Sequence, residues 1–346
     1  MKTPKIQLAH IFKDLELEKH DPVERIKWPQ TPIDAGVKVT PTTQIVTQRD
    51  AETVACSETV SYPVNELGSI AFHRLHNKFL LQQLEPRLLQ GHVLVPAAGV
   101  KNSLLTNNVL ADLETLATRF KLQLKPLDIQ SYPGITDPIL FLSLSGNRRK
   151  EAEKKITQVH SGMQIILIYP LAAVPIRFLT ELYADKISDV FDPLFLKLCT
   201  QVSLEKNLSI RALMRLRRAV LKQSRLFLLG EGGISRCCYE ISAQNHLGIE
   251  LDLEALPMHV PAKLLCDLFR LDPLCIDSTG SVLLFIDAEQ TESILATCTQ
   301  NQVAATLIGE TTDSHDLCLF TNLDGRKSRI YKPQFDELHR YRFSRL

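Results

Sequence analysis

In the stretch LLGEGGISRCCYEISAQNHLGIELD, residues 228–252, a glycine pair at Gly232 and Gly233 stands directly before a segment that reads as a helix. A helix N-terminus preceded by glycines offers unpaired backbone N–H groups and the positive end of the helix dipole, a combination that suits a phosphate. The same pair also makes an ordinary strand-to-helix turn, and so short a motif is more often punctuation than a site. The eight cysteines, Cys56, Cys199, Cys237, Cys238, Cys266, Cys275, Cys298 and Cys318, contain no C-x-x-C pair of the zinc or redox type. Most lie among apolar neighbours, where a free thiol behaves as a small hydrophobe. The adjacent Cys237 and Cys238 would point to different faces of a helix and make a poor chelate. The chain has no H-E-x-x-H, G-x-S-x-G or G-x-x-x-x-G-K-[ST], which removes the zincin, serine hydrolase and P-loop readings.

Two further groups have chemistry-bearing spacing. RALMRLRRAVLKQSR carries Arg211, Arg215, Arg217, Arg218, Lys222 and Arg225 without an acidic residue; it is read as a solvated helix face, with phosphate, nucleic acid or an acidic partner as the alternatives. His73 and His76, three apart, share a side of a helix, and without a third ligand they are read as polar surface or dimer contacts.

The elements that must position these residues alternate between strand and helix. GHVLVPAA, from Gly91 to Ala98, is a strand candidate, and Val109, Leu110, Leu113, Leu116, Ala117 and Phe120 fall on one helical face. PILFLSLSG sets Leu140, Leu142 and Leu144 opposite Phe141, Ser143 and Ser145, a half-buried strand closed by Gly146. The run GNRRKEAEKK is a solvated connection and the expected boundary between an N-terminal domain, residues 1–150, and a C-terminal domain, residues 151–346. QIILIYP then reads as a buried strand, a long helical region is expected from about Leu171 to Arg225, and SVLLFID, AEQTESILATCTQNQ and AATLIGE repeat strand, helix, strand. The 346 residues therefore suggest two α/β domains, each with its own core.

The formal charge of +1 gives no global reason to expect nucleic acid as a partner. The start, MKTPKIQLAHIFKDLELEKHD, breaks its apolar stretches with charges, and the longest apolar run, Ile165 to Ile176, is too short for a bilayer and contains Pro170 and Pro175. A cytoplasmic protein without a membrane partner is expected.

The stretch GIELDLEALPMHVPAKLLCDLFRLDPLCIDSTGSVLLFIDAEQTESILATCTQNQVAATLIGE resembles the C-terminal domain of the aminoimidazole ribonucleotide (AIR) synthase-related, PurM-like superfamily, in style closest to HypE-like hydrogenase maturation factors. Gly248, Ile249, Glu250, Asp252, Leu271, Asp272, Pro273, Leu274, Gly280, Ile308, Gly309 and Glu310 stand in the family's order and spacing. SYPGITDPILFLSLSG, IVTQRD and NELGSIAFHRLHNK are similar to three N-terminal segments of the same family, so the resemblance runs from about residue 30 to 340.

The resemblance implies a PurM-like fold of class α/β (α+β), with N-terminal and C-terminal α/β domains flanking a cleft for ATP and Mg²⁺. It also implies a homodimer through the N-terminal domains, and ATP-driven activation of an oxygen on a small-molecule substrate. Such chemistry needs acidic residues that hold the metal against the phosphates. In this chain Asp34 in PIDAGV, Asp50 in IVTQRD and Asp128 in PLDI match family carboxylates, and each is equally an ordinary capping or turn residue. Asn77 matches, but Lys78 replaces the adjoining carboxylate, and a cation where a dication belongs costs several kcal/mol in a desolvated site. Pro126 and Leu127 replace two glycines. In FLLGEGG, Phe227 and Leu228 replace a His-Asp pair while Glu231, Gly232 and Gly233 persist. The chain ends ELHRYRFSRL, without the acceptor cysteine of the HypE reaction.

The expected site is thus Gly232, Gly233, Asn77 and Glu231 around a nucleotide, and Asp34, Asp50 and Asp128 around a metal. The expected function is that of a divergent member with degraded ATP and Mg²⁺ binding. An active ATP-dependent kinase or synthase of the same fold and a non-catalytic dimeric interaction protein are the alternatives.

Overall fold

The structure, a computed structural model, describes residues 43–48, 51–97, 100–148, 158–216, 224–314, 317–322 and 324–343. The chain divides into two compact units, Met1–Asp34, which lies outside the described residues, and Ala35–Leu346, which holds every element below.

The first sheet is formed by β1 (Thr43–Gln48), β2 (Ala51–Val60), β3 (Leu84–Pro96), β4 (Gln123–Leu124), β5 (Asp128–Tyr132) and β6 (Ile139–Arg148). Its order is β1-β2-β6-β3-β4, with β5 also paired to β3. β6 shows why the alternating sequence forms a strand: Leu140, Leu142 and Leu144 are buried while Phe141 faces outward. Two helices, α1 (Leu67–Leu81) and α2 (Val100–Phe120), cover the inner face. α2 buries Val109, Leu113, Leu116 and Ala117, the stripe expected from its period.

α1 is buried nearly all round, because it lies between that sheet and elements of the second half of the chain. This corrects the reading of His73 and His76 as surface residues: they are 1% and 3% exposed. His76 stacks on Phe72 at 5.4 Å and meets Phe120 edge-on at 4.5 Å. Burial first, then His73 and Arg211, lowers its pKa to about 3, so the ring is neutral and packs as an aromatic.

The second sheet contains β7 (Met163–Ile168), β8 (Arg225–Leu228), β9 (Gly248–Asp252), β10 (Val282–Asp287), β11 (Ala305–Thr312), β12 (Cys318–Thr321) and β13 (Lys327–Arg329). Their order is β13-β12-β9-β11-β7-β10-β8. The central strands β7 and β10 are near-continuous apolar runs because both faces are covered. Ile165, Leu167, Leu283 and Phe285 join a core that continues through α1 to the first sheet. Ile166, Ile168, Val282, Leu284 and Ile286 enter a separate cluster on the opposite face. The remaining long helices are α8 (Gly233–Asn245), α9 (Val260–Phe269) and α10 (Thr291–Gln300), and α11 (Glu337–Phe343) closes the described chain. The boundary expected at residue 150 falls in 149–157, outside the described residues.

The long helix expected from Leu171 to Arg225 is instead a series of short ones: α3 (Ala173–Leu182), α4 (Ala184–Ser188), α5 (Pro193–Gln201), α6 (Leu204–Leu208) and α7 (Arg211–Arg215). Pro193 has no N–H to continue a preceding helix, and the Asp192 carboxylate accepts the Leu194 N–H at 2.7 Å to start a new one. Ser203 caps α6 in the same way through Lys206. Of the basic run, Arg211 and Arg215 are on α7, Arg225 opens β8, and residues 217–223 lie outside the described residues. No helix among the described residues is long and apolar enough to cross a membrane.

Candidate functional site

β8 ends at Leu228, and the chain turns through Gly230 and Glu231 into α8. Gly232 and Gly233 have φ of +76° and +58°, the left-handed region that glycine enters without steric cost. A Cβ on Gly233 would lie 2.6 Å from the carbonyl oxygens of both Leu274 and Ile276, so α8 packs its first turn directly against that backbone. The N–H groups of Gly232, Gly233 and Ser235 are taken within the protein. Gly232 donates to Asp336 Oδ2 at 2.8 Å, Gly233 to the Gly230 carbonyl at 3.0 Å, and Ser235 to the Leu274 carbonyl at 3.0 Å. The group that meets the helix N-terminus is therefore the chain's own Asp336 carboxyl.

Around this turn lies a buried charge network that the sequence did not reveal. Arg74, on the apolar stripe of α1, donates from one guanidinium nitrogen to Asp277 Oδ2 at 2.5 Å and from the other to Glu231 Oε1 at 2.8 Å. Its Nε donates to Thr279 Oγ1 at 3.1 Å. Asp277 is 0% exposed and also accepts from Tyr62 Oη at 3.1 Å and from the Thr279 N–H at 2.8 Å. His339 of α11 stacks on Tyr62 at 5.0 Å and brings Nε2 to 3.8 Å from Glu231. α11 is tied to the first half of the chain as well, because the Arg342 guanidinium donates to both Asp137 oxygens.

Each charge answers to its neighbours. Burial opposes the Arg74 charge, but Asp277 and Glu231 more than compensate and hold its pKa well above the usual value. Burial would raise Glu231, yet Arg74 and His339 keep it well below the carboxylate range. Asp336 is pushed up to about 7, by burial and then by Asp277, despite the N–H groups of Gly232 and Leu338.

A carboxylate whose folded pKa exceeds its unfolded one binds more protons when folded, so its contribution to stability declines as pH rises between those values. Glu181, raised to about 7 chiefly by burial, acts with the same sign. His339, raised through Glu231 in spite of burial, supplies stability that is lost as pH climbs through its folded pKa. Below about pH 6.5 the buried His76 works in the opposite direction, so the effect is read above that point. The melting temperature is expected to fall between pH 6.5 and 8, and Asp336→Asn, which keeps an acceptor for Gly232, is expected to flatten that slope. A slope unchanged in the variant would remove Asp336 as its source.

Beside the turn lies a cavity of about 370 Å³ between α1, β8 and α8, lined by Glu58, Arg74, Asn77, Lys78, Glu231 and Arg236 among others. It brings together two of the expected residues, Asn77 and Glu231, next to Gly232 and Gly233. Asn77 is occupied with the fold: its amide donates to the Leu208 carbonyl at 2.7 Å, and its oxygen accepts the Ile210 N–H at 3.2 Å. Lys78 meets Glu58 at 2.5 Å, and Arg236 meets Glu240 at 3.5 Å. Leu226, Phe227, Leu228 and Leu229 supply an apolar wall.

Of the three expected metal ligands, only Asp128 falls among the described residues. Asp128 is exposed at the start of β5, where its carboxylate lies 2.9 Å from His92 Nδ1 and 3.2 Å from Gln130, and it does not line the cavity. Asp34 and Asp50 lie outside the described residues. No group of three or more His, Cys, Asp or Glu able to hold a metal ion occurs among the described residues. Arg74 does carry a signal in the sequence, its place on α1. A lone arginine one turn beyond Leu67, Ile70 and Ala71 on the same buried face signals a buried cation awaiting carboxylates.

Two stacked α/β halves with an interlobe cavity beside a glycine turn define a class, and the comparisons name it. Residues 229–321 match the family described as AIR synthase related protein, C-terminal domain. Carbamoyl dehydratase HypE of Rhizobium leguminosarum bv. viciae is 32% identical over 65 residues, 19% of this chain and 19% of that protein. The matched segments thus span about a fifth of the first curated relatives' length. Among solved structures, E. coli HypE, a hydrogenase maturation protein, superposes with a TM-score of 0.64 at 17% identity, covering 83% of this chain and 88% of that one. HypE in complex with ATP gives 0.63 at 16%, covering 89% and 92%. Thiamine monophosphate kinase from Aquifex aeolicus gives 0.58 at 12%, covering 84% and 93%. Residues 229–321 thus match an AIR synthase-related C-terminal domain, and the chain is HypE-like in fold.

Proposed function

We propose that this protein is a divergent nucleotide-binding member of the AIR synthase-related group, with the ATP site in the cavity between α1 and α8 and a metal shell reduced from the family pattern. The observation that carries this reading is the cavity itself, which sets Asn77, Lys78 and Glu231 around one space beside the glycine turn. The solved HypE–ATP complex has the same fold and supports a nucleotide as the ligand class. Lys78 and Arg236 face the space with ion-pair partners they can exchange for phosphate oxygens.

The reading is tested by calorimetric titration of ATP, with and without Mg²⁺, on wild type, Asp50→Ala and Lys78→Asp. Binding that needs Mg²⁺ and is lost in Asp50→Ala would assign Asp50 to the site. Binding without Mg²⁺ that Lys78→Asp weakens about tenfold would assign the phosphates to the ammonium group. No binding to wild type in the millimolar range would reject the reading.

A homodimer through the first sheet is the second part of the proposal. The outer face of that sheet exposes Phe141 and Tyr132 at 40% and 53%, apolar surface that a second copy would cover. Phe141→Asp is expected to convert a dimer to a monomer in sedimentation velocity, and a wild-type monomer at all concentrations would reject it.

A further inference from the structure

At the end of the second sheet farthest from β8, β13 pairs with β12 on one side and has no strand on the other among the described residues. The surrounding segment Gly325–Phe335, GRKSRIYKPQF, contains Arg326, Lys327, Arg329 and Lys332 and no carboxylate. Arg326 and Lys327 are matched by Asp324 and Glu250 at 3.2 and 2.6 Å. Arg329 and Lys332 are exposed and lie over aromatic rings instead, Tyr331 at 5.8 Å and Tyr239 at 5.9 Å, with no carboxylate paired to them among the described residues. Tyr331 and Phe335 are 70% and 63% exposed. Beside them runs a groove of about 540 Å³ whose lining includes Leu253, Leu274, Phe320 and Ile330, with Asp272 and the Glu337–Arg340 ion pair at its edge toward α11.

A basic strand edge is by itself a common guard against edge-to-edge pairing. Exposed aromatics beside an apolar groove exceed what a guard requires, since they add the surface that a guard is meant to hide. We infer that this edge docks an extended, acidic segment of another protein, which continues the sheet beside β13, sets carboxylates on Arg329 and Lys332, and places an apolar side chain in the groove. Strand addition supplies backbone hydrogen bonds, and the alternating side chains supply selectivity. Charge selects the occupant. A second copy of this chain paired edge to edge would bring Arg326, Lys327 and Arg329 against their own equivalents, a like-charge array that opposes pairing. A single-stranded nucleic acid would find only two cations outside ion pairs, too few phosphate contacts for appreciable affinity at physiological salt.

The test uses the full chain and two fluorescein-labelled heptapeptides, one alternating glutamate with leucine around a central phenylalanine, the other with lysine for each glutamate. Fluorescence anisotropy should show saturable binding of the acidic peptide, at least about tenfold weaker binding of the basic one, and loss of that preference in Arg329→Glu/Lys332→Glu. The variant should melt like wild type, because both side chains are exposed. No saturation by the acidic peptide at millimolar concentration, equal binding of both peptides, or binding indifferent to the double substitution would each overturn the inference. So would tighter binding of labelled oligouridylate that the same variant abolishes, which would make the surface a nucleic-acid site.

Discussion

Replacing Arg74 with methionine is expected to destabilise the protein by about 4 kcal/mol, the largest effect of any single substitution outside the apolar core. Methionine keeps the bulk of the arginine stem but removes the charge that two carboxylates share. Asp277, 0% exposed, would be left without a counter-ion or access to water, whereas Glu231, with a side chain 31% exposed, can recruit solvent. The cost therefore falls chiefly on Asp277. It also falls on the union of the two halves, because Arg74 belongs to a helix packed on the first sheet and its partners belong to loops of the second. Thermal denaturation should show a fall of roughly 10 °C, given the few degrees per kcal/mol usual for chains of this size. Adding Asp277→Asn should recover part of the loss by removing the uncompensated charge, with a coupling of about 2 kcal/mol in the double-mutant cycle. Strictly additive effects would show that the two side chains do not hold one another.

The legible parts of this fold are those whose signals are local. β6, β7, β10 and β11 announce themselves by alternation or short apolar runs, and α8 and α10 by period and flanking turns, because each pattern completes itself within a dozen residues. The division of residues 171–216 into five helices was hidden by an apolar content that continues across Pro193, so periodicity overrode the break that the Asp-Pro pair marks. The site was less legible still. Arg74 finds its partners 157 and 203 residues away, a separation that no spacing rule spans. Lys78 reads as a fault when compared with a carboxylate-bearing family, yet Glu58, on the neighbouring strand, makes it half of an ion pair. His73 and His76 carry polar names but occupy an aromatic cluster, where a neutral imidazole packs as a ring. The glycine pair was legible as a turn before a helix; that its donors are already taken depends on Asp336, about a hundred residues downstream.

Gly233→Ala is expected to cost about 3 kcal/mol, and the reason separates a packing glycine from a merely bent one. At φ of +58° any side chain pays about 1 kcal/mol for the left-handed conformation. The remainder comes from contact, because the new Cβ would sit 2.6 Å from two carbonyl oxygens, Leu274 and Ile276, and backbone cannot rotate aside as a flexible side chain can. Gly134, with φ of +90° and no atom within 4 Å of an added Cβ, isolates the first effect. Urea denaturation of Gly134→Ala should therefore show a loss of about 1 kcal/mol, and Gly233→Ala about 2 kcal/mol more. Equal losses would mean that α8 does not rest on the 274–276 backbone. Because that same backbone leads into Asp277, a displaced α8 would also loosen the carboxylate that Arg74 grips. The Gly233→Ala and Arg74→Met effects should then combine to less than their sum, since either change alone already disrupts part of what the other supports.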